Sequence, residues 1–277
     1  METNVILEKI LNMNATLKAQ HPYVLSVSKC LGYVQPKFDQ EGMAMKCYKK
    51  DFNNPAGKYY QMTVEDILKA WKDKAQESLK YGSMLDDYVH LAISEPSESA
   101  MSAWKTSHNY DGDERLQVNC TGFDNFHQQV LAKTNYKVVG NEIPMYTQTP
   151  DGRFINGRLD CLLYDDVNNK LLVIDWKTTE TITTENQFEE MTGPLYMMDN
   201  CNINVYTLQT FMYKKALAET YGIVDMDNID TVICQITKTD DGKNYHVWTP
   251  AFEFNNELLN KVIDYSYFKS QKSSFRR

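Results

Sequence analysis

The sequence predicts an α/β fold, a mixed central β-sheet flanked by helices, with a helical region at the N-terminus. Helical patterning dominates up to about residue 133, strand patterning takes over near 136, and helical stretches return among and after the strands. Helices that precede and follow one sheet suit a layered α/β unit. The 277 residues, with 42% hydrophobic content, are enough to bury one large core.

The first helix is expected over residues 3–20 and a second over 63–80, with Thr63 as N-cap and Glu65 and Asp66 in its first turn. A third runs over 83–94 and a fourth over about 114–133. Between the first two, KCYKKDFNNPAGKYY (46–60) reads as a loop because of its Asn-Asn-Pro-Ala-Gly content. YKVVGNEIPMYT, RFINGRLDCLLY and KLLVIDWKTT then read as three consecutive strands. A helix follows at about 203–221, strands at about 230–237 and 244–249, and a last helix at about 256–268. The expected organisation is an N-terminal helix and basic, aromatic loop over 1–62, a main domain over 63–268, and a basic tail over 269–277.

METNVILEKILNMNATLK carries Glu2 and Glu8 and lacks the apolar run of a secretory signal, and no stretch reaches membrane-spanning length. A cytoplasmic location without a membrane partner is expected. Cys30, Cys47, Cys120, Cys161, Cys201 and Cys234 lie far apart with no C-x-x-C pair, which points to reduced thiols and away from a zinc or iron–sulfur knuckle.

The net charge of -8 weighs against nucleic acid as a partner, since phosphate binding draws on Lys and Arg. The charge is unevenly spread, however. Lys46, Lys49, Lys50 and Lys58 interleave with Tyr48, Phe52, Tyr59 and Tyr60, and the tail KSQKSSFRR is basic. Acid crowds residues 175–200, where bound cations would neutralise part of it. Nucleic acid therefore stays open, and Lys46, Lys49, Lys50, Lys58, Tyr59 and Tyr60 are candidate phosphate and stacking contacts. An ordinary solvated connection accounts for the same loop equally well.

The charged pair inside KLLVIDWKTT carries the chemistry. Four apolar residues, Leu171 to Ile174, suit a covered strand, which does not carry charge without a use for it. The polar DDVNNK before it predicts an antiparallel hairpin, and a loop centred between Val167 and Asn168 sets Asp160 opposite Asp175. Alternation puts Asp175 and Lys177 on one face and Ile174, Trp176 and Thr178 on the other. Two carboxylates and an ammonium converging on one patch suit a hard cation such as Mg²⁺ or Mn²⁺, and phosphodiester hydrolysis is the reaction such a set serves. A second D-x-K, Asp241-Gly242-Lys243, lies in the turn TDDGKN and reads as a solvated hairpin tip.

The motif's company gives it meaning. N-G-R-L-D ending at Asp160, I-D-W-K-T-T with Asp175 and Lys177, and a helix carrying Gln209-T-F-M-Tyr213 resemble the PD-(D/E)XK nuclease superfamily, in particular its RecB-like exonuclease branch. The pattern there is G-x-x-D, D-Y-K-T and Q-x-x-x-Y, and this chain departs mildly, with Trp176 for the tyrosine. The resemblance implies a restriction-endonuclease-like core in the main domain, metal binding by Asp160 and Asp175, and a catalytic Lys177. It also implies a ligand in the Trp176 carbonyl and buttressing or backbone-holding roles for Gln209 and Tyr213. Glu142 resembles the glutamate of an E-x-P element before the hairpin, and Thr178 is the motif threonine; both are candidate supports.

The branch often opens its site with G-T-x-x-H, whereas Gly82-Ser83-Met84-Leu85-Asp86 stands here, so Asp86 replaces the histidine as candidate ligand and His90, one turn on, is its rival. A solvated acidic face explains Asp86 and Asp87 as well. Relatives with an iron–sulfur cluster use a late cysteine trio that this chain lacks, so no cluster is expected. The implied function is a Mg²⁺- or Mn²⁺-dependent DNA exonuclease acting on single- or double-stranded ends in phage-type recombination, repair or replication, with a single-strand annealing or recombination protein as a candidate partner. An endonuclease of the same superfamily, structure-specific or acting on RNA, and a catalytically silent nucleic-acid-binding copy are the alternatives.

Overall fold

A computed structural model describes residues 2–21, 24–94, 97–250 and 252–274. The described chain begins with α1 (Thr3–Gln20), β1 (Leu25–Ser26), α2 (Val27–Val34), α3 (Gln40–Asp51), α4 (Val64–Ser94), α5 (Glu98–Ser107) and α6 (Glu114–Gln129). It continues with β2 (Tyr136–Gln148), β3 (Phe154–Asp165), β4 (Lys170–Lys177), α7 (Asn202–Lys215), β5 (Ile229–Ile236), β6 (Tyr245–Trp248) and α8 (Asn256–Ser274). No described helix is long and apolar enough to cross a membrane.

The expected mixed sheet between helices is present, and so are the five expected strands. The first half holds more helix than the sequence predicts. Residues 46–51, expected in a loop, end α3, because the turn-forming Asn-Asn-Pro run begins only after them. Asp39 caps that helix by accepting the Gly42 N–H at 3.0 Å. The expected break between 80 and 83 is absent: α4 runs unbroken through Gly82, a residue that weakens a helix interior by only about 1 kcal/mol. Its start is as expected, with the Thr63 hydroxyl accepting the Asp66 N–H at 3.2 Å while Asp66 Oδ2 accepts the Thr63 N–H at 3.0 Å. The helix expected over 203–221 is α-helical to Lys215 and π-helical over Ala216–Thr220. α8 extends to Ser274, so the basic segment from 269 is helical as far as it is described, and residues 275–277 lie outside the described residues.

The chain divides into two compact units, Lys37–Met84 and Met1–Pro36 with Leu85–Arg277. In the smaller, Asp51 is 6% exposed and accepts the Tyr59 N–H at 3.3 Å, and the Tyr59 hydroxyl accepts the Trp71 indole N–H at 2.8 Å.

The larger unit carries the sheet, in the order β1-β3-β4-β5-β6, with β2 paired to β3. β2 lies antiparallel along β3 from Gln148↔Phe154 to Tyr136↔Asp165 and so occupies one edge of it. β1 (at Ile155 and Asn156) and β4 (from Cys161 to Asp165) share the other edge. Between them, on that edge, β3 residues 157–160 face no strand among the described residues. β2 is the outer strand, and its outward groups are covered: the Tyr146 N–H donates to the Tyr221 hydroxyl at 2.7 Å, the Gln148 N–H to Thr220 Oγ1 at 3.1 Å, and Asn14 Nδ2 to the Pro144 carbonyl at 2.7 Å. Covering of this kind protects an edge from foreign strands and leaves room for Pro144.

Leu171 and Val173 of β4 join Leu162 of β3 and side chains of α2, α7 and α8 in one buried core. The opposite face carries Trp176, held edge-on by Phe123 and Phe126 of α6 at ring distances of 5.6 and 5.5 Å. α7 is buried on nearly every side, as a helix inside a core must be.

The hairpin register is the expected one, Cys161↔Ile174 to Asp165↔Lys170. Local chemistry sets it: the Asp165 carboxylate accepts the N–H of Val167 at 2.9 Å, the N–H of Asn168 at 3.0 Å and Asn168 Nδ2 at 2.7 Å, and Asn169 takes the left-handed φ of 53°. These bonds hold the Asp165 carboxyl below the ordinary carboxylate range. A lowered folded-state pKa stabilises above the unfolded value of about 4, and that stabilisation is lost as the pH falls through the folded value. Thermal melting of Asp165→Ala should show a lower Tm than wild type at neutral pH, with the gap narrowing progressively below about pH 4.

Candidate active site

The site lies where β3 and β4 separate. Their pairing ends at Cys161↔Ile174, and the next N–H of β4 that faces β3, that of Trp176, donates instead to Asp160 Oδ2 at 2.9 Å. Asp160 thereby replaces a ladder bond. Asp175 and Lys177 continue the face of Leu171 and Val173, so the apolar row ends in charge under α7. Lys177 Nζ stands 2.6 Å from Asp175 Oδ2. Asp175 is 2% exposed, and its Oδ1 has no hydrogen-bond partner among the described residues.

Burial raises the pKa of Asp160 well above the usual carboxylate value, and the Asp175 charge adds to it; Lys177 and the Trp176 amide oppose the rise without cancelling it. Burial pulls on the Lys177 ammonium in the direction of neutrality, but Asp175 and Asp160 outweigh it and hold its pKa above that of a free lysine. Burial also raises Asp86 to about 6, with Glu142 adding to the rise and Lys177 opposing it. Asp86 therefore sits within electrostatic reach of the cluster.

α7 closes the site. The Tyr213 hydroxyl takes hydrogen bonds from Gln209 and the Arg158 backbone, and burial followed by the Asp160 and Asp175 charges raises its pKa. It fills the edge of β3 left open between β1 and β4, opposite the edge that β2 pairs. Gly157 makes this possible: a Cβ there would stand 2.7 Å from the Tyr213 hydroxyl and 2.8 Å from Val27 Cγ2. The glycine of N-G-R-L-D is thus a packing requirement. On the other flank, the pairs Asn141↔Cys161 and Ile143↔Leu159 bracket Glu142 and Asp160. Glu142 adopts a φ of 52°, a left-handed conformation that costs a non-glycine residue about 1–3 kcal/mol, and its Oε2 accepts from Arg158 Nη1 at 2.7 Å.

The fold thus gathers Asp86, Glu142, Asp160, Asp175, Lys177, Gln209, Tyr213 and the Trp176 backbone. His90 is exposed and is not among the leading influences on Asp86. Thr178 lines a cleft with α6 residues. Lys46, Lys49, Lys50, Lys58, Tyr59 and Tyr60 belong to the smaller unit, with Lys58 Nζ 5.3 Å above the Tyr59 ring. Sequence reasoning missed Tyr206, whose ring centre lies 4.8 Å from Lys177 Nζ and whose hydroxyl accepts from Asn202 Nδ2 at 3.4 Å. Its signal was spacing: Tyr206, Gln209 and Tyr213 recur on one helical face.

The oxygen donors suit a hard divalent cation. The unbonded, buried Oδ1 of Asp175 asks for a positive partner, and Mg²⁺ needs only one or two protein carboxylates, with water and substrate completing its shell. Among the described residues no group of three or more His, Cys, Asp or Glu side chains already converges as a full ligand set.

Two aspartates and a lysine gathered where a hairpin opens, on a mixed sheet between helices, are the marks of a nuclease-like α/β protein. The chain belongs to the PD-(D/E)XK nuclease superfamily, whose family model matches residues 58–265. Membership makes it a nuclease, a hydrolase of phosphodiester bonds with nucleic acid as substrate, in a superfamily that typically uses divalent metals. Comparison with curated proteins finds no match. Among solved structures, the crystal structure of SSO0001 is similar over 69% of this chain and 75% of that one, with 13% identity and a TM-score of 0.31.

Gly157→Ala should destabilise the protein by about 1–3 kcal/mol in urea unfolding, because neither the β3 backbone nor the Tyr213 ring can yield freely.

Proposed function

We propose that the protein is a Mg²⁺- or Mn²⁺-dependent deoxyribonuclease of the RecB-like branch, an exonuclease acting on DNA ends in phage-type recombination, repair or replication. What supports this reading is the meeting of Gln209 and Tyr213 with Asp160 at the opened hairpin, since a Q-x-x-x-Y helix against a D…D-x-K hairpin is that branch's pattern. Asp160, Asp175 and the Trp176 carbonyl would hold the cation, with Asp86 as a further ligand ahead of His90. When bound, the cation supplies a Lewis acid for the phosphoryl oxygen and a water acidic enough to attack.

The chain's own residues divide the remaining work. Lys177, kept protonated by its two aspartates, opposes the negative charge that develops on the phosphate and orients the attacking water. Tyr206 confines that ammonium over its ring. Tyr213 and Gln209 brace the open edge of β3, and Glu142, paired with Arg158, supports the strand beside Asp160. Thr178 supports the end of β4. Lys46, Lys49, Lys50, Lys58, Tyr59 and Tyr60 would contribute phosphate contacts and stacking surfaces. The nuclease domain on this reading covers 63–268 and works in the cytoplasm, with an annealing or recombination protein as a fitting partner.

End-labelled single- and double-stranded DNA, linear and circular, should be degraded with Mg²⁺ only when an end is present, and excess chelator should stop the reaction. Asp175→Ala and Lys177→Ala should each lower cleavage by about a hundredfold or more while DNA binding persists. Cutting of closed circles would replace the exonuclease reading with an endonuclease one. Tyr206→Leu should lower kcat by about 3–10-fold at nearly constant KM, and Tyr206→Phe should retain most of the rate, because the ring face rather than the hydroxyl holds the ammonium.

A further inference from the structure

We propose that Arg158 is a substrate-binding residue of the nuclease site, whose guanidinium grips the phosphate next to the scissile one and is aimed there by Glu142. The proposal rests on the nuclease reading and adds to it the residue that positions the strand.

Alternation along β3 puts Arg158 on the same face as Asp160, two residues and therefore about 6.6 Å away along the strand. The pairing of Leu162 with Val173 makes this the face of Asp175 and Lys177 as well. The backbone at Arg158 is held from both sides. On one side Arg158 pairs with Pro144, which has no N–H and turns its carbonyl outward to Asn14. On the other, the Arg158 N–H meets the Tyr213 hydroxyl at the open edge.

The side chain is 68% exposed, and Nη1 donates to Glu142 Oε2 at 2.7 Å, its one side-chain hydrogen bond among the described residues. The hydrogen bond and charge of Glu142, followed by the charges of Asp86 and Asp160, hold the guanidinium pKa above its usual value. The same carboxylates that surround the reacting centre therefore act on Arg158.

Two features separate this pair from an ordinary surface ion pair. Exposed pairs add little to stability, yet the acid here stands at a φ of 52°, a conformation costly to a non-glycine residue and retained chiefly at functional sites. A guanidinium beside aspartates that suit a cation also repels that cation, unless a further anion joins them. The substrate's phosphates are such anions. With Nη1 on Glu142, the edge made by Nε and Nη2 is free to fork onto two oxygens of one phosphate. Lys177, 19% exposed and bound to Asp175, lies inside the site and serves the reacting phosphate. Arg158 stands at the rim, one pleat from Asp160, where the strand leaves.

Kinetics on end-labelled DNA with Mg²⁺ test the assignment. Arg158→Ala should raise KM about tenfold and lower kcat less than about threefold, and Arg158→Lys should recover only part of the loss, because an ammonium cannot fork. Glu142→Gln should raise KM about threefold in the wild-type background and no further in Arg158→Ala. In Lys177→Ala protein, which binds without cutting, the added Arg158→Ala should reduce the salt slope of binding by about 0.7 for single strands or 0.9 for duplex, one phosphate contact. A neutral methylphosphonate placed next to the scissile linkage should weaken binding about tenfold when Arg158 is present and not at all when it is replaced. Because the side chain is exposed the variants should melt as wild type does, and Arg158→Lys keeps the test decisive if Arg158→Ala does not fold. Unchanged KM, a loss confined to kcat, or a loss seen only on strands bearing a terminal phosphate overturns the assignment. DNA held through Arg158 but never cut by the wild-type protein would count against the nuclease reading alone, whereas cleavage indifferent to Arg158 would overturn only the role of Arg158.

Discussion

The hydrogen bond from the Trp176 amide to the Asp160 carboxylate is the contact on which the rest of the site depends. In a continuing ladder this N–H would meet the β3 backbone, and the two strands would close over the space the chemistry needs. A side-chain acceptor satisfies the same buried donor while letting the strands part, so the opening leaves no orphaned amide behind. The open edge of β3 between β1 and β4 then accepts a phenol from α7 in place of a strand, at a position where only glycine leaves room for it.

Opening the hairpin concentrates charge where burial makes it expensive. Asp160, Asp175 and Asp86 act on one another electrostatically, Lys177 pairs with Asp175, and Asp175 keeps one oxygen without a hydrogen-bond partner among the described residues. Such an arrangement is poor for stability and good for binding a cation, because the electrostatic deficit that folding leaves is what a divalent ion removes. Glu142, held left-handed opposite Asp160, adds backbone strain at the same place. The apolar core under Leu171 and Val173 and the aromatic packing of Trp176 hold β4 rigid enough to carry these costs.

Much of this was legible in the chain because it is encoded locally. The DDVNNK turn binds its own backbone through Asp165, so the hairpin register followed from the turn, and alternation then placed Asp175 beside Lys177. The boundaries of α1, β2 and β3 and the start of β4 followed from periodicity, to within a residue. α3 and the unbroken α4 were not legible, since the Asn-Asn-Pro run and Gly82 are strong local punctuation that the fold places at a helix exit and overrides, respectively. Tyr206 escaped notice because an aromatic residue on a buried helix reads as core until the lysine beneath it is seen.

By itself, then, the sequence determined five of the sheet's six strands, all but the two-residue β1, together with the hairpin register and the identity of the charged residues, which depend on contacts a few residues apart or on the two-residue repeat of a strand. Tertiary structure alone decided that β3 and β4 part at Asp160, that α7 rather than a strand fills the gap, and that Asp86 and Glu142 approach from distant segments. Those outcomes depend on which helix packs over which stretch of sheet, and that is settled by the summed burial of side chains remote in sequence, which no local pattern contains.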